Sequence, residues 1–375
     1  GGLERRHSGG EVPCFPVRRA VTLERRPWPE RDEGEFERGR AQLRGMEIDP
    51  LTFRGEDLMH LVLEIFVELD LPRRLPLPLE KLQKFVVAVH SRMRANPYHN
   101  FVHVFDVTQT VYAMAYRSGL LATLTDMERF ALIVGALCHD LEHPGFNNMA
   151  LAKTQGFGDT QFRHASLEKH HSLRAFELMV DHDVDLLSGL NTNTYYAFRT
   201  LVVDVILSTD MTRHKSYLER AWAAREELDA SLHESFHDRA ASQSTSAPSP
   251  APGVPHARGQ DTRRASAQLG MQLLMKCADI SNVVKPFPVA AKWAMRITDE
   301  FFEQGDLERD NGLDVTPTCD RRAQTRVGLQ KGFIDFCTKP FMGAVQGLYP
   351  ALAGDFAQMG RNREAWEGYT DERLE

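Results

Sequence analysis

The chain has 375 residues, with 45 Lys and Arg against 52 Asp and Glu for a net charge of −7, and is 42% hydrophobic with 21 Phe and 4 Trp. That apolar content can build a core, which excludes wholesale disorder. The mild acidity argues against a general binder of nucleic acid or anionic membrane, which needs surplus Lys and Arg, and leaves room only for a local basic patch.

Residues 1–45 mix Arg, Glu, Gly and Pro without an apolar period and read as a flexible arm or linker. From Glu56 the pattern turns helical: Leu58, Val62, Ile65, Phe66 and Leu69 recur at i, i+4, i+7 and i+8, and Leu79 to Met93 repeats the pattern. Further helical segments are expected near 97–118, 126–139, 166–181, 194–208, 265–279, 288–304 and 323–338. Strand-like alternation is absent, so residues 46–370 are expected to form an all-α domain. Residues 239–266, rich in Ser, Pro and Ala with a single Val as their largest apolar residue, read as a disordered insertion. About 300 helical residues remain, near the size at which helical subdomains pack against one another and can leave a site between them. The longest apolar run, Phe130 to Cys138, is about half of the ~20 residues a spanning helix requires, so no membrane contact is expected within this chain.

Five Cys (Cys14, Cys138, Cys277, Cys319, Cys337) are odd in number, far apart and never in a C-x-x-C pair. They fit reduced thiols in an intracellular, cytoplasmic protein better than a disulfide scaffold or a zinc ribbon. The start at Gly1, without Met or an apolar leader, suggests a fragment of a longer protein, with any regulatory domains outside it. Of 15 His, eight lie between His90 and His171.

Four clusters carry candidate chemistry. Asn96-Pro97 reads as a helix start, which sets His99 and His103 one turn apart on one face. Such a pair can serve one metal, divide into a ligand and a proton donor, or simply pack and cap. His139-Asp140, with His143 and Asn148 behind them, gather at the end of the hydrophobic helix running from Phe130, with Pro144-Gly145 ending it. Imidazoles buried beside carboxylates need a partner, and metal coordination is the usual resolution. Glu168 and His171 share a helix face at i, i+3, a spacing that suits ordering of metal-bound waters or only a capped helix start. Asp279 ends the hydrophobic segment through Met271, Leu274 and Met275, where an unpaired carboxylate would be costly. A metal or an Arg is implied there.

Tyr98-His99-Asn100 with His103, His139-Asp140 with His143 and Asn148, Leu167-Glu168 with His170-His171, Thr209-Asp210-Met211 and Ala278-Asp279-Ile280-Ser281-Asn282, in this order and separation, resemble the catalytic domain of class I 3′,5′-cyclic nucleotide phosphodiesterases. The likeness extends to Gln330-Lys331-Gly332-Phe333 and covers roughly residues 46–370. It implies a multi-helix HD-type domain with two divalent cations between helical subdomains. His103, His139, Asp140 and Asp279 would hold zinc. Asp140 would bridge to magnesium or manganese, whose waters His143, Glu168, His171 and Thr209 would order. A hydroxide bridging the two ions would open the cyclic phosphate of cAMP or cGMP to the 5′-monophosphate, with His99 as general acid and Glu300 as its carboxylate partner.

Tyr98, Asn282, Ile297, Gln330 and Phe333 would bind the nucleotide, Gln330 and Phe333 pairing an amide with a ring at i, i+3. A Gln amide suits adenine and guanine alike, so the base is not specified. Ala290 and Ala294 stand where many relatives carry larger side chains near the base, which implies a wider pocket. Two other readings stay open. One is a broader His-Asp metal phosphohydrolase, against which the purine-sized clamp of Gln330 and Phe333 argues. The other is a cyclic nucleotide sensor without turnover, against which the complete ligand set argues.

Overall fold

The computed structural model describes residues 28–154, 166–242 and 257–374. Its helices are α1 Glu33–Gln42, α2 Gly55–Glu68, α3 Leu71–Arg74, α4 Leu79–Arg92, α5 Phe101–Arg117, α6 Leu120–Thr123, α7 Asp126–Cys138 and α8 Asn148–Thr154. They continue with α9 Ser166–Val180, α10 Thr192–Leu207, α11 His214–Ser242, α12 Ala257–Asp279 and α13 Phe287–Asp310. α14 Arg326–Gly332 runs into a π-helical stretch, Phe333–Thr338, followed by α15 Lys339–Leu348 and α16 Ala353–Ala365. Among the described residues there is no β-strand, and no helix is long and apolar enough to cross a membrane.

The apolar stripes of α2, α4, α5, α7, α10 and α12 meet in one core. Phe130 of α7 stacks on Phe198 of α10 with centroids 4.8 Å apart, and Phe66 of α2 meets Phe130 edge-on. Gly135 lets α7 and α10 approach closely, since a Cβ there would come within 2.6 Å of Val205 Cγ1. Local signals fix the ends: Thr125 and Glu128 close a reciprocal capping box at the start of α7, and Asn191 caps α10. Behind the core, Lys285 is wholly buried beside Asp106 of α5, with Nζ 2.8 Å from Oδ1 and 2.7 Å from Thr110 Oγ1. Its approach to Asp106 is oblique, so the attraction there is mainly Coulombic.

Three sequence expectations differ from the structure. Within the arm expected over residues 1–45, Glu33–Gln42 is helical and buries Phe36, while the indole of Trp28 donates to His60 Nδ1 at 3.1 Å. An Asp32 cap and a single buried aromatic suffice here, below what an apolar period reveals. Of the insertion expected over residues 239–266, residues 243–256 lie outside the described residues, and α12 already begins at Ala257. The helix expected to start at Asn96 starts at Phe101, because Asn100 is the cap: its side chain accepts the amides of Val102 and His103 at 2.9 and 3.3 Å. His99 therefore precedes the helix instead of sharing a face with His103.

Candidate metal centre and cavity

Three chain segments converge on one point. His103 lies in the first turn of α5, His139 and Asp140 follow α7 directly, and Asp279 is the last residue of α12. A ligand atom from each lies within 4.8 Å of all the others. His139 Nε2 is 3.2 Å from Asp140 and 3.4 Å from Asp279, and His103 Nε2 is 3.4 and 3.6 Å from the same two carboxylates. Both Nε2 atoms are buried without a hydrogen-bond partner. His139 Nδ1 donates to the Ala136 carbonyl at 2.8 Å, which leaves Nε2 facing two carboxylates. Two ring nitrogens and two carboxylates converging in a largely buried site call for a cation, so this donor set fits a divalent metal.

The electrostatics agree. Burial alone would lower the pKa of His139, yet Asp140 and Asp279 hold it far above its ordinary value. Burial alone would raise that of Asp140, yet His139 and His103 hold it far below. The pair therefore keeps a proton that a metal would displace.

Beside this tetrad, Asp140, His143 and His171 form a second set of close ligand atoms. His171 Nε2 is 3.7 Å from Asp140 Oδ1, and its Nδ1 donates to the Leu141 carbonyl at 2.7 Å. His143 Nδ1 accepts the Gly145 amide at 3.1 Å, and its ring stacks on His99 at 3.9 Å. Burial lowers His171 to about 4 and, together with His99, pushes His143 well below its usual range, so both are neutral. Glu168 accepts from Asn148 Nδ2 at 3.3 Å, and burial with the nearby Asp210 and Asp140 raises its carboxyl to about 7.

The turn carrying these residues is itself constrained. Glu142 sits in the left-handed region at φ 63°. Arg92 of α4 bonds its carboxylate at 2.9 Å, Arg174 of α9 at 2.9 and 3.0 Å, and His170 lies 3.4 Å away. Burial opposes its charge, but these three groups hold it well below the usual carboxylate range.

His99 Nδ1 makes a very short contact with Glu300 of α13, whose other oxygen accepts the Tyr98 and His99 amides at 2.9 and 3.1 Å. Burial would lower His99, but Glu300 raises it to about 9; burial would raise Glu300, but His99 holds it at about 2. Asn96, no cap here, donates to the His99 and His143 carbonyls at 2.8 Å each and ties the two segments together.

A cavity of about 640 Å³ opens above this centre, a size that accommodates a nucleotide. Tyr98, His99, Asp140, His143, Glu168, His171, Thr209, Asp279, Asn282 and Glu300 line one part, and Ile297, Gln330 and Phe333 line another. Tyr98 packs against His103 with the rings tilted, centroids 4.4 Å apart, and meets Trp293 edge-on. Ala290 and Ala294 are buried in the packing of α13 and are not among the residues that line the cavity. Sequence reasoning assigned no role to Asp210, Asn147, Gln304 or Lys276. Gln304 accepts the Asn147 amide at 3.0 Å across the cavity wall. Of the unassigned histidines, His170 joins the Glu142 cluster, His90 packs edge-on against Phe101, and His164 lies outside the described residues.

The sequence matches the family model described as 3'5'-cyclic nucleotide phosphodiesterase over residues 98–359. It is 32% identical over 331 residues to the 3',5'-cyclic-nucleotide phosphodiesterase regA of Dictyostelium discoideum, covering 88% of this chain and 38% of that protein. It is 31% identical to the high affinity cGMP-specific 3',5'-cyclic phosphodiesterase 9A of Drosophila melanogaster, covering 84% and 18%, and 30% identical to the 3',5'-cyclic-AMP phosphodiesterase 4C of Rattus norvegicus, covering 76% and 49%. The chain thus spans less than half the length of each of these relatives. Among solved structures, LmjPDEB1 in complex with IBMX superposes with a TM-score of 0.73 at 27% identity, covering 90% of this chain and 97% of that one. The phosphodiesterase domain of the RhoPDE fusion protein from the choanoflagellate Salpingoeca rosetta shares the fold, with a TM-score of 0.74 at 24% identity over 89% of this chain and 97% of that one. The chain belongs to the 3'5'-cyclic nucleotide phosphodiesterase family.

Proposed function

We propose that this chain hydrolyses 3′,5′-cyclic nucleotides, cAMP, cGMP or both, to nucleoside 5′-monophosphates. The observation that carries the reading is one cavity whose wall includes Asp140 and Asp279 of the metal-competent cluster, the adjacent His99–Glu300 pair, and Ile297, Gln330 and Phe333. His103, His139, Asp140 and Asp279 would hold zinc. Asp140 would also face magnesium or manganese, with His143, Glu168, His171 and Thr209 ordering its waters. When bound, such ions supply an ionised water at neutral pH and neutralise charge on the phosphoryl oxygens.

The side chains account for the remaining needs of the reaction. The leaving O3′ requires a proton, and His99 offers one from Nε2 because Glu300 engages Nδ1. General acid catalysis of this kind is worth ~10²–10⁴-fold. The stacked, neutral His143 backs the imidazole and limits its rotation. In this reading Phe333 and Ile297 sandwich the base while Gln330 and Asn282 address its polar edge, and Tyr98, on the same cavity wall, packs its ring against His103. Relatives named for cGMP and for cAMP lie at similar identity, which supports the substrate class without selecting a base.

Steady-state kinetics with cAMP and cGMP in parallel, after chelation and separate add-back of zinc, magnesium and manganese, test the reading. Turnover restored by metals is expected. Absence of turnover of both nucleotides with all metals present would overturn it.

A further inference from the structure

Next to Thr209 stands a carboxylate that the two-cation reading leaves unused. Asp210 is 1% exposed and lines the cavity. Its Oδ1 accepts the Thr212 amide at 2.8 Å and the Thr212 hydroxyl at 2.7 Å, the arrangement of a helix cap. Its Oδ2 is buried without a hydrogen-bond partner. Among the described residues no cationic side chain comes within ion-pair distance of this carboxylate. A cap needs one oxygen and no charge, so capping explains only half of the group. A buried carboxylate oxygen without a donor is costly and calls for one from outside the chain.

The surrounding residues aim it. Lys276, wholly buried on α12 three residues before Asp279, sends its Nζ to the carbonyls of Ser208, Thr209 and Asp210 at 3.4, 3.5 and 3.2 Å and to Met211 Sδ at 3.5 Å. Its contact with Asp210 is to the backbone. The ammonium thus fixes the turn bearing Thr209 and Asp210 to the helix bearing Asp279 and, bonding only the backbone there, leaves the carboxylate of this cavity-lining residue without a cationic partner among the described residues. Across it, Asp210 and Asp140 are the charges that, after burial, raise Glu168. Three carboxylates share one region.

We infer that Asp210 is a further residue of the second-cation site, its unpartnered Oδ2 accepting from the hydration shell of a hydrated divalent cation, with Lys276 as the positioning residue that holds it there. This rests on the two-cation reading above.

The test is Mn²⁺ binding to the purified chain, followed by electron paramagnetic resonance, with tightly held metal counted separately by elemental analysis. Asp210→Asn keeps the capping oxygen and removes the charge. Its Mn²⁺ dissociation constant is expected to rise about 10-fold, in the usual range for outer partners of a metal, with tightly held metal and chelated Tm unchanged. Mn²⁺ affinity equal to wild type would overturn the inference and leave Asp210 as a cap. Asp210→Ser, which also keeps a capping oxygen, is measured in its place if the Asn variant loses helical signal; loss of folding in both overturns the inference. Asp140→Asn is the reference: if wild type and Asp140→Asn bind Mn²⁺ equally poorly, the two-cation reading itself has failed.

Discussion

Glu300 engages His99 twice over, one carboxylate oxygen at the imidazole Nδ1 and the other at the residue's own backbone amide, 3.1 Å away. The contact fixes ring orientation and charge together. Gln at 300 can still accept the two amides but carries no charge. Burial then prevails, and the imidazole titrates below the value of about 9 that Glu300 maintains in the metal-free chain. Since His99 must be protonated to act, the rate falls as pH rises through its pKa. Glu300→Gln should move this alkaline limb of the kcat profile to lower pH and cut kcat more at pH 8 than at pH 6. A profile superimposable on wild type would refute the assignment.

The same pair links stability to pH. His99 is raised from 6.5 to about 9, so its contribution is complete below 6.5 and is lost as pH climbs toward 9. Glu300 is lowered from 4.5 to about 2, so its contribution is complete above 4.5 and is lost as pH falls toward 2. These are two views of one interaction. In metal-free protein, the Tm difference between wild type and Glu300→Gln should be largest between pH 4.5 and 6.5 and shrink on either side. Calorimetry across that range checks it.

Metal removal should loosen the fold as well as stop turnover. The four candidate ligands come from the start of α5, the end of α7 and the end of α12, so a cation cross-links three helices. Chelation is expected to lower Tm, and re-addition of metal to release protons held by the His139 and carboxylate cluster. Proton release can be followed with an indicator dye in weak buffer. Asp279→Asn should keep its helical signal and lose the tightly held ion.

Phe333 is half-buried at the cavity wall. Phe333→Ala should raise KM about 10- to 100-fold, the equivalent of ~1–3 kcal/mol of stacking on a base, with little change in Tm. A kcat loss at constant KM would mean that the ring shapes the reacting end instead.

Lys285 and Asp106 form a charge pair inside the protein. Lys285→Met strands a carboxylate and should cost about 3–5 kcal/mol, as such broken pairs do. Adding Asp106→Leu should restore much of the loss. Urea titrations of the single and double variants decide whether the pair stabilises or only compensates itself.

Much of the domain was legible because its signals are local. Apolar periodicity locates α2, α4, α7 and α9, and burying His139, Asp140 and Asp279 at helix ends demands a cation wherever those ends meet. What stayed hidden depends on partners distant in sequence. The helix start slipped from Asn96 to Asn100 because Asn96 is committed to the carbonyls of His99 and His143. Ala290 and Ala294 lie on α13 beside cavity residues in sequence, yet face its packed side. Asp210 sat within a recognised motif, but an oxygen without a partner becomes visible only when the surrounding atoms are in place.

Glu142 occupies a backbone state that glycine adopts freely and most side chains avoid. Its carboxylate is gripped by Arg92 of α4 and Arg174 of α9. The shape of the His139–His143 turn is therefore imposed by distant helices. Grafting residues 138–145 onto another helical hairpin would transplant the ligands without their geometry; the smallest portable unit also includes the two arginines and the helices that present them.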